Sequence, residues 1–205
     1  GLNYYLTKYR HRPVETHNLI DSFEEATGIN LQHYFDQWIY KPGHLEMEAS
    51  WKYDENEKVV IVTIKQTQDT KDGTPIYNTP LTIGLVRSGS GVDKHPLQLD
   101  NQTQEFRIPA PTRPDSLLID PDHDLLKVLK ISRAESEQPT LLRYAPNVND
   151  RASALRSILS QANGNLSEMQ ITLLTDVLKS DATVTIGTQI LDALGDTKRE
   201  SLRPL

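Results

Sequence analysis

Apolar positions recur along this chain with a helical period of 3.6 at both ends and a strand period of 2 in the middle. Leu2, Tyr5, Leu6 and Tyr9 fall on one helical face, and Pro13 closes that segment. Thr16 is placed to cap a second helix that turns Leu19, Ile20, Phe23 and Ala26 inward, with Gly28 as its left-handed stop. Asn30 is placed to cap a third, with Leu31, Tyr34, Phe35, Trp38 and Ile39 on one stripe. After Pro42 and Gly43 the period changes. Strands are predicted over 45–53, 58–68, 76–87, 94–99, 104–108 and 116–119, and the stretch 125–131 reads equally as a last strand or a short helix. Turn signals at this spacing predict an antiparallel β-sandwich whose far end is marked by Pro109, Pro111 and Pro114.

Residues 136–140 read as a linker, and helical spacing returns beyond them. Asn147 with Asp150 resembles a capping box ahead of Ala152, Leu155, Ile158, Leu159 and Ala162, and Asn163 and Gly164 end that helix. Ser167 with Gln170 forms a second box before Met169, Leu173, Leu174, Val177 and Leu178. A last helix runs through Ile186, Ile190, Leu191 and Leu194, although Thr183, Val184, Thr185 and Gly187 are poor helix formers. Paired helices of this length resemble the start of a helical solenoid.

Composition narrows the classes. The 205 residues are 37% hydrophobic and 24% charged with a net charge of -6, values of a soluble globular protein. No Lys/Arg cluster is present, which argues against nucleic acid or an anionic membrane surface as partner. The longest aliphatic run, Val59 to Val62, is far short of the roughly 20 residues of a membrane-spanning helix. With no cysteine there are no disulfides or thiolate metal sites. A soluble protein of the cytoplasm or periplasm is expected. The chain opens in mid-helix pattern without an initiator Met, as a piece of something longer would.

Chemistry finds little foothold. His11, His17, His33, His44, His95 and His123 include no pair at i, i+4, so the motif that sets two imidazoles on one metal is absent. His44, Glu46 and Glu48 share a strand face, which reads as solvated rather than ligating. Asp120, Asp122 and Asp124 alternate, but a calcium loop needs Gly and Glu where Leu125 and Ile131 stand. There is no nucleophile elbow, and Gly84, Gly89 and Gly91 fit no phosphate-binding loop. Phe35 and Trp38 read as core anchors and Pro42 with Gly43 as a fixed turn, so the site residues are structural, with no catalytic and no metal residue assigned.

Several stretches nonetheless resemble one family. Gly1 and Leu2 followed by Tyr5 and Leu6, the run Thr27 to Leu31, Phe35, Trp38, and Pro42 with Gly43 ahead of a strand look like the zinc aminopeptidases of the alanyl aminopeptidase family, gluzincins that include the leukotriene hydrolases. Gln66 and Gln68 at a strand end, Pro80 to Ile83, Asp120 with Pro121, and Asn147 to Leu155 continue the likeness. The resemblance implies the helical end of a peptidase domain over 1–43, an immunoglobulin-like antiparallel sandwich over 44–134, and the start of a HEAT-like domain of α-helical hairpins over 135–205. The family's zinc ligands, its amine-binding loop and its catalytic tyrosine map onto no residue here; Tyr4, Tyr5 and Tyr9 do not match that tyrosine. Leu45 stands where the family often has proline.

The expectation is therefore a non-catalytic C-terminal scaffold of a zinc aminopeptidase, with zinc and peptide substrate belonging to the parent and no cofactor to this chain. The alternative is a protein-binding scaffold of the same architecture with no active site at full length, as in a transcription-initiation subunit similar to these peptidases. Three short helices carry more apolar surface than they can bury among themselves, so self-association through an exposed helical face is also expected.

Overall fold

The computed structural model describes residues 1–181 and 183–201, with side chains through residue 195. It is mixed α/β, with two sheets between two groups of helices. The first group is α1 (Leu2–Lys8), α2 (Thr16–Thr27) and α3 (Gln32–Phe35), the last running into a π-helical turn, Asp36–Tyr40. Seven strands follow: β1 (Leu45–Asp54), β2 (Val59–Gln66), β3 (Thr79–Arg87), β4 (Gly91–Leu99), β5 (Thr103–Pro109), β6 (Ser116–Ile119) and β7 (Lys127–Ile131). A 3-10 turn, Glu135–Glu137, leads into α4 (Gln138–Tyr144), α5 (Val148–Ala162), α6 (Glu168–Ser180) and α7 (Val184–Ser201).

Strand order is β5-β2-β1-β7 in one sheet and β4-β3-β6 in the other. Alternation along β1 sends Leu45, Met47 and Ala49 inward, where they join Val60, Val62, Ile64, Leu81, Ile83, Leu85, Phe106 and Leu117 in a core to which both sheets contribute. β6 breaks the alternation because both of its faces are covered. Leu117 and Ile119 join the core between the sheets, while Leu118 and Val86 join a second core with Leu142, Leu155, Leu174, Ile186 and Ile190 of the C-terminal helices. A short continuous apolar run is the sequence form of such a doubly buried strand.

Several expectations are corrected. The sheets are not wholly antiparallel, since β7 runs parallel to β1 with Lys127 opposite Leu45; alternation identifies a strand but carries no direction. Residues 136–140 are no linker but a 3-10 turn and the first turn of α4, where Pro139 is tolerated because the early amides of a helix lack intrahelical acceptors. Met169 is 83% exposed rather than on the buried stripe of α6, and Leu191 is exposed on α7. The third helix does not keep one stripe: Lys41 N–H reaches back five residues to Asp36 C=O, and this wider turn shifts the helical phase. Phe35 and Gln37 are buried while Tyr34, Ile39 and Tyr40 are exposed, and Trp38 is half-buried rather than fully enclosed.

The caps behave as read at Gly28 (φ 73), Asn163 and the Ser167–Gln170 box; Asn147 is the N-cap of α5 but accepts from Asn149 N–H rather than forming a box with Asp150, whose carboxylate meets His123. The second helix instead takes Glu15 as its N-cap, with Thr16 as its first residue. Leu31 occupies the N-cap position of α3, and Asn30 Oδ1 accepts from Gln32 N–H at 3.1 Å. α1 buries no residue; Lys8 and the Tyr4 hydroxyl hold Glu25 of α2 at 2.6 and 2.9 Å. Leu2, Leu6 and Ile29 are each 59% exposed, leaving the N-terminal helices with an open apolar face. The expected third segment, 135–205, includes 182 and 202–205, which lie outside the described residues.

Candidate functional site

The helical segment and the sheets are joined through a connection, residues 67–78, that belongs to no strand. Its backbone groups have no strand ladder, yet Gln68, Thr74 and Tyr77 are buried, so side chains must serve as partners there. Three glutamines do so. Gln37, from the π-helical turn, donates to Asn78 C=O at 2.7 Å and accepts from Asn78 N–H at 3.0 Å. Gln66 donates to Tyr77 C=O at 2.9 Å and Asn101 C=O at 3.2 Å and accepts from Tyr77 N–H at 2.8 Å. Gln68 donates to Gln66 Oε1 at 3.0 Å and Pro75 C=O at 2.8 Å. Each side-chain amide replaces a missing peptide partner. The Trp38 ring then lies on Tyr77 with centroids 4.4 Å apart, its buried Nε1 without a hydrogen-bond partner among the described residues. Phe35 is buried beside it on the same turn.

Replacing Gln66 by leucine keeps the volume but strands the Tyr77 amide and carbonyl. At about 1–3 kcal/mol for each unsatisfied buried group, a loss of roughly 2–6 kcal/mol is expected in urea unfolding; an unchanged midpoint would show that the connection finds other partners.

The turn at Pro42 and Gly43 closes this joint. Pro42 is exposed beside Gly73, while Gly43 has φ 83 and sits against buried Thr74. Thr74 is itself fixed by Asp72, which accepts from its hydroxyl at 2.7 Å and its amide at 2.9 Å. These two bonds hold the Asp72 carboxyl below its ordinary value.

A second joint ties the sheets to the C-terminal helices. Glu137 is buried and accepts from Trp51 Nε1 of one sheet at 3.2 Å and Ser116 Oγ of the other at 2.8 Å, and from Ala134 N–H at 2.9 Å. Arg133 lies 3.8 Å from the same carboxylate; burial pushes its guanidinium below its ordinary value, and Glu137 opposes that. Further on, Arg151 reaches Asp181 at 3.0 Å and Ala145 C=O, Pro146 C=O and Thr183 Oγ1 at 2.9 Å. Partial burial pushes Asp181 up, but the Thr183 hydroxyl and amide and the Arg151 guanidinium outweigh it and leave the carboxyl below its ordinary value.

Acid should therefore loosen the Asp72 turn and the Arg151–Asp181 contact. Carboxyls depressed in the folded state bind fewer protons there than in the unfolded chain, whose value is about 3.9. Their stabilisation is present above that pH and is lost as pH falls through the folded values. Thermal unfolding followed from pH 6 to pH 2 (roughly the range over which carboxylates protonate) should be flat at first and fall below about pH 4, with Asp181→Asn reducing the slope; equal slopes would remove Asp181 from the account.

The acidic turn is structural. Buried Asp120 (φ 56) accepts from Asp124 N–H and Leu125 N–H at 3.0 Å and pairs with the Lys127 ammonium. Asp122 pairs with Lys94 at 2.6 Å and His123 with Asp150 at 2.9 Å. His44 approaches Glu46 at 3.4 Å on the strand face. Among the described residues no three His, Asp or Glu side chains converge as metal ligands, and no helix is long and apolar enough to cross a membrane. Sequence reasoning singled out Phe35, Trp38, Pro42 and Gly43 but missed Gln37, Thr74, Arg133 and Glu137. At regular helical spacing Gln37 lies off the apolar stripe, and only the π-helical turn brings it inward, so nothing local marked it.

No family profile matches the chain. In sequence it is 22% identical over 179 residues to transcription initiation factor TFIID subunit 2 of Caenorhabditis elegans, a match covering 73% of this chain and 16% of that protein. In structure it superposes on Legionella pneumophila aminopeptidase A, solved with aspartic acid, with a TM-score of 0.66 and 18% identity over 87% of this chain and 21% of that one. The chain thus has an aminopeptidase-like fold and spans about a fifth or less of either protein's length.

Proposed function

We propose that this chain is the non-catalytic scaffold of a zinc aminopeptidase, in which an immunoglobulin-like sandwich holds the helical end of the peptidase domain on one side and HEAT-like hairpins on the other. The observation that carries the reading is the pair of buried polar joints, Gln37 with Asn78 and Glu137 with Trp51 and Ser116. Such bonds set angles between segments, because each is lost if the segments rotate. The structural likeness to an aminopeptidase supports this architecture. In this reading the open face of α1, α2 and α3 packs on the remainder of the parent, and the catalytic zinc and the peptide substrate are held there. The purified chain, equilibrated with zinc and assayed on alanyl and leucyl chromogenic substrates, is expected to show neither stoichiometric metal nor turnover. Stoichiometric zinc together with activity that survives further purification would overturn the proposal.

The sequence likeness to a transcription initiation factor subunit favours a second reading, a protein-binding scaffold without an active site at full length. The coding sequence upstream of Gly1 separates the two. An intact His-Glu-x-x-His with a later Glu supports the peptidase, and degenerate residues at those positions support the scaffold.

A further inference from the structure

Asp72–Gly73 and Asn163–Gly164 each set a short side chain with its own carbonyl carbon directly before a glycine in a turn. In such a pair the glycine nitrogen can attack that carbonyl carbon and close a cyclic imide, because glycine has no Cβ to obstruct the approach.

The fold treats the two pairs differently. Asp72 accepts from the Thr74 hydroxyl at 2.7 Å and the Thr74 amide at 2.9 Å. Those bonds pin its carboxyl and favour the ionised form, which is a poor electrophile. Asn163 is exposed at the end of α5, and among the described residues neither its side chain nor the Gly164 N–H makes a hydrogen bond. Every other asparagine precedes a residue that carries a side chain. Asn18, Asn78 and Asn147 are also engaged as acceptors, from Glu15 N–H, the Gln98 amide and Asn149 N–H.

Ring closure requires the backbone at Asn163 to leave its left-handed conformation, φ 44 and ψ 47. Little opposes this. One exposed bond crosses the turn, Asn165 N–H to Ala162 C=O at 2.8 Å, and a left-handed backbone is costly for an L-residue. Gly164, itself at φ 83, turns freely.

We propose that Asn163 is a site of spontaneous covalent modification, at which the side-chain amide is replaced by a carboxylate, partly in the isoaspartyl form. Gly164 N forms a bond to Asn163 Cγ, the Cγ–Nδ2 bond breaks, and the proton of the glycine amide leaves with Nδ2 as ammonia. Water then opens the imide. Addition at Cγ gives aspartate, and addition at the main-chain carbonyl gives isoaspartate, whose backbone is longer by one methylene. Either product puts a negative charge on the carbonyl end of α5, which the helix dipole disfavours. The isoaspartyl form also displaces the turn that seats Leu166 against the core of the C-terminal helices. Modification therefore loosens the α5–α6 connection with age. This goes beyond the scaffold reading and holds for either parent.

The test ages the 205-residue chain in mildly alkaline buffer, native and in urea, and follows it by ion exchange and peptide mapping. Isoaspartate is counted by methyl transfer from S-adenosylmethionine with an isoaspartyl methyltransferase. In the native chain an acidic form should accumulate with Asn163 converted ahead of every other asparagine and Asp72 unchanged; in urea Asp72 should begin to isomerise as well. Asn163→Gly keeps the left-handed cap without the amide and should form no such product. The aged wild type should melt below the fresh protein, and aged Asn163→Gly should not. A native Asn163 that stays intact while the urea-treated chain reacts would overturn the proposal, as would conversion at Asp72 or another asparagine at an equal rate. Unchanged melting after full conversion would overturn the loosening of the α5–α6 connection.

Discussion

Replacing Glu137 by alanine is expected to destabilise the chain by about 3–5 kcal/mol, the usual cost of breaking one side of a buried ion pair. Burial is what makes the effect large. The carboxylate accepts from Trp51, Ser116 and the Ala134 amide and offsets the desolvation of Arg133. Its removal leaves a guanidinium with less compensation and two side-chain donors from different sheets without their acceptor. At about 2–4 °C per kcal/mol for a chain of this size, the melting temperature should fall by roughly 6–20 °C. Glu137→Gln should cost less, since an oxygen acceptor stays, and Glu137→Ala combined with Arg133→Met should recover part of the loss because no charge is left buried. Equal melting of the wild type and Glu137→Ala would mean that the second joint contributes no stability.

Gly43→Ala should produce the second large loss, for two additive reasons. A Cβ at φ 83 would stand 2.2 Å from Thr74 Oγ1, and Thr74 has little freedom to withdraw while Asp72 holds both its hydroxyl and its amide. The left-handed backbone costs an L-residue about 1–2 kcal/mol, and forced overpacking adds about 1–3 kcal/mol, so a total near 2–5 kcal/mol is expected. Gly28 separates the two terms. It has φ 73 with nothing within 4 Å of the added atom, so Gly28→Ala should show the backbone term alone. If Gly43→Ala costs no more than Gly28→Ala in parallel denaturation, the Thr74 contact is not the constraint described here.

Much of the fold was legible because local physics repeats locally. Leu45, Met47 and Ala49 alternate with Glu46 and Glu48 wherever one face of a strand meets a core, and Gly28 and the Ser167–Gln170 box mark helix ends by groups within a turn of each other. The polar side chains that hold the joints were mostly missed. Gln37 and Glu137 are residues of ordinary surface type, and only partners 41 and 86 positions away, Asn78 and Trp51, make their burial favourable. The linker reading of 136–140 failed for a related reason, since a proline that ends one helix also starts another, as Pro139 does at the head of α4.

Taken alone, the chain determined that helices flank a run of strands, where most of those elements begin and end, and that Pro42 and Gly43 form a turn between the two regimes. Those follow from side-chain period and backbone preference, which act within a few residues. Tertiary structure decided that β7 lies parallel to β1, that Trp38 is only half-buried on Tyr77, and that three glutamines stand in for absent strand partners. Each depends on groups far apart in sequence meeting away from water, where an unpaired polar group is costly enough to dictate what stands opposite it.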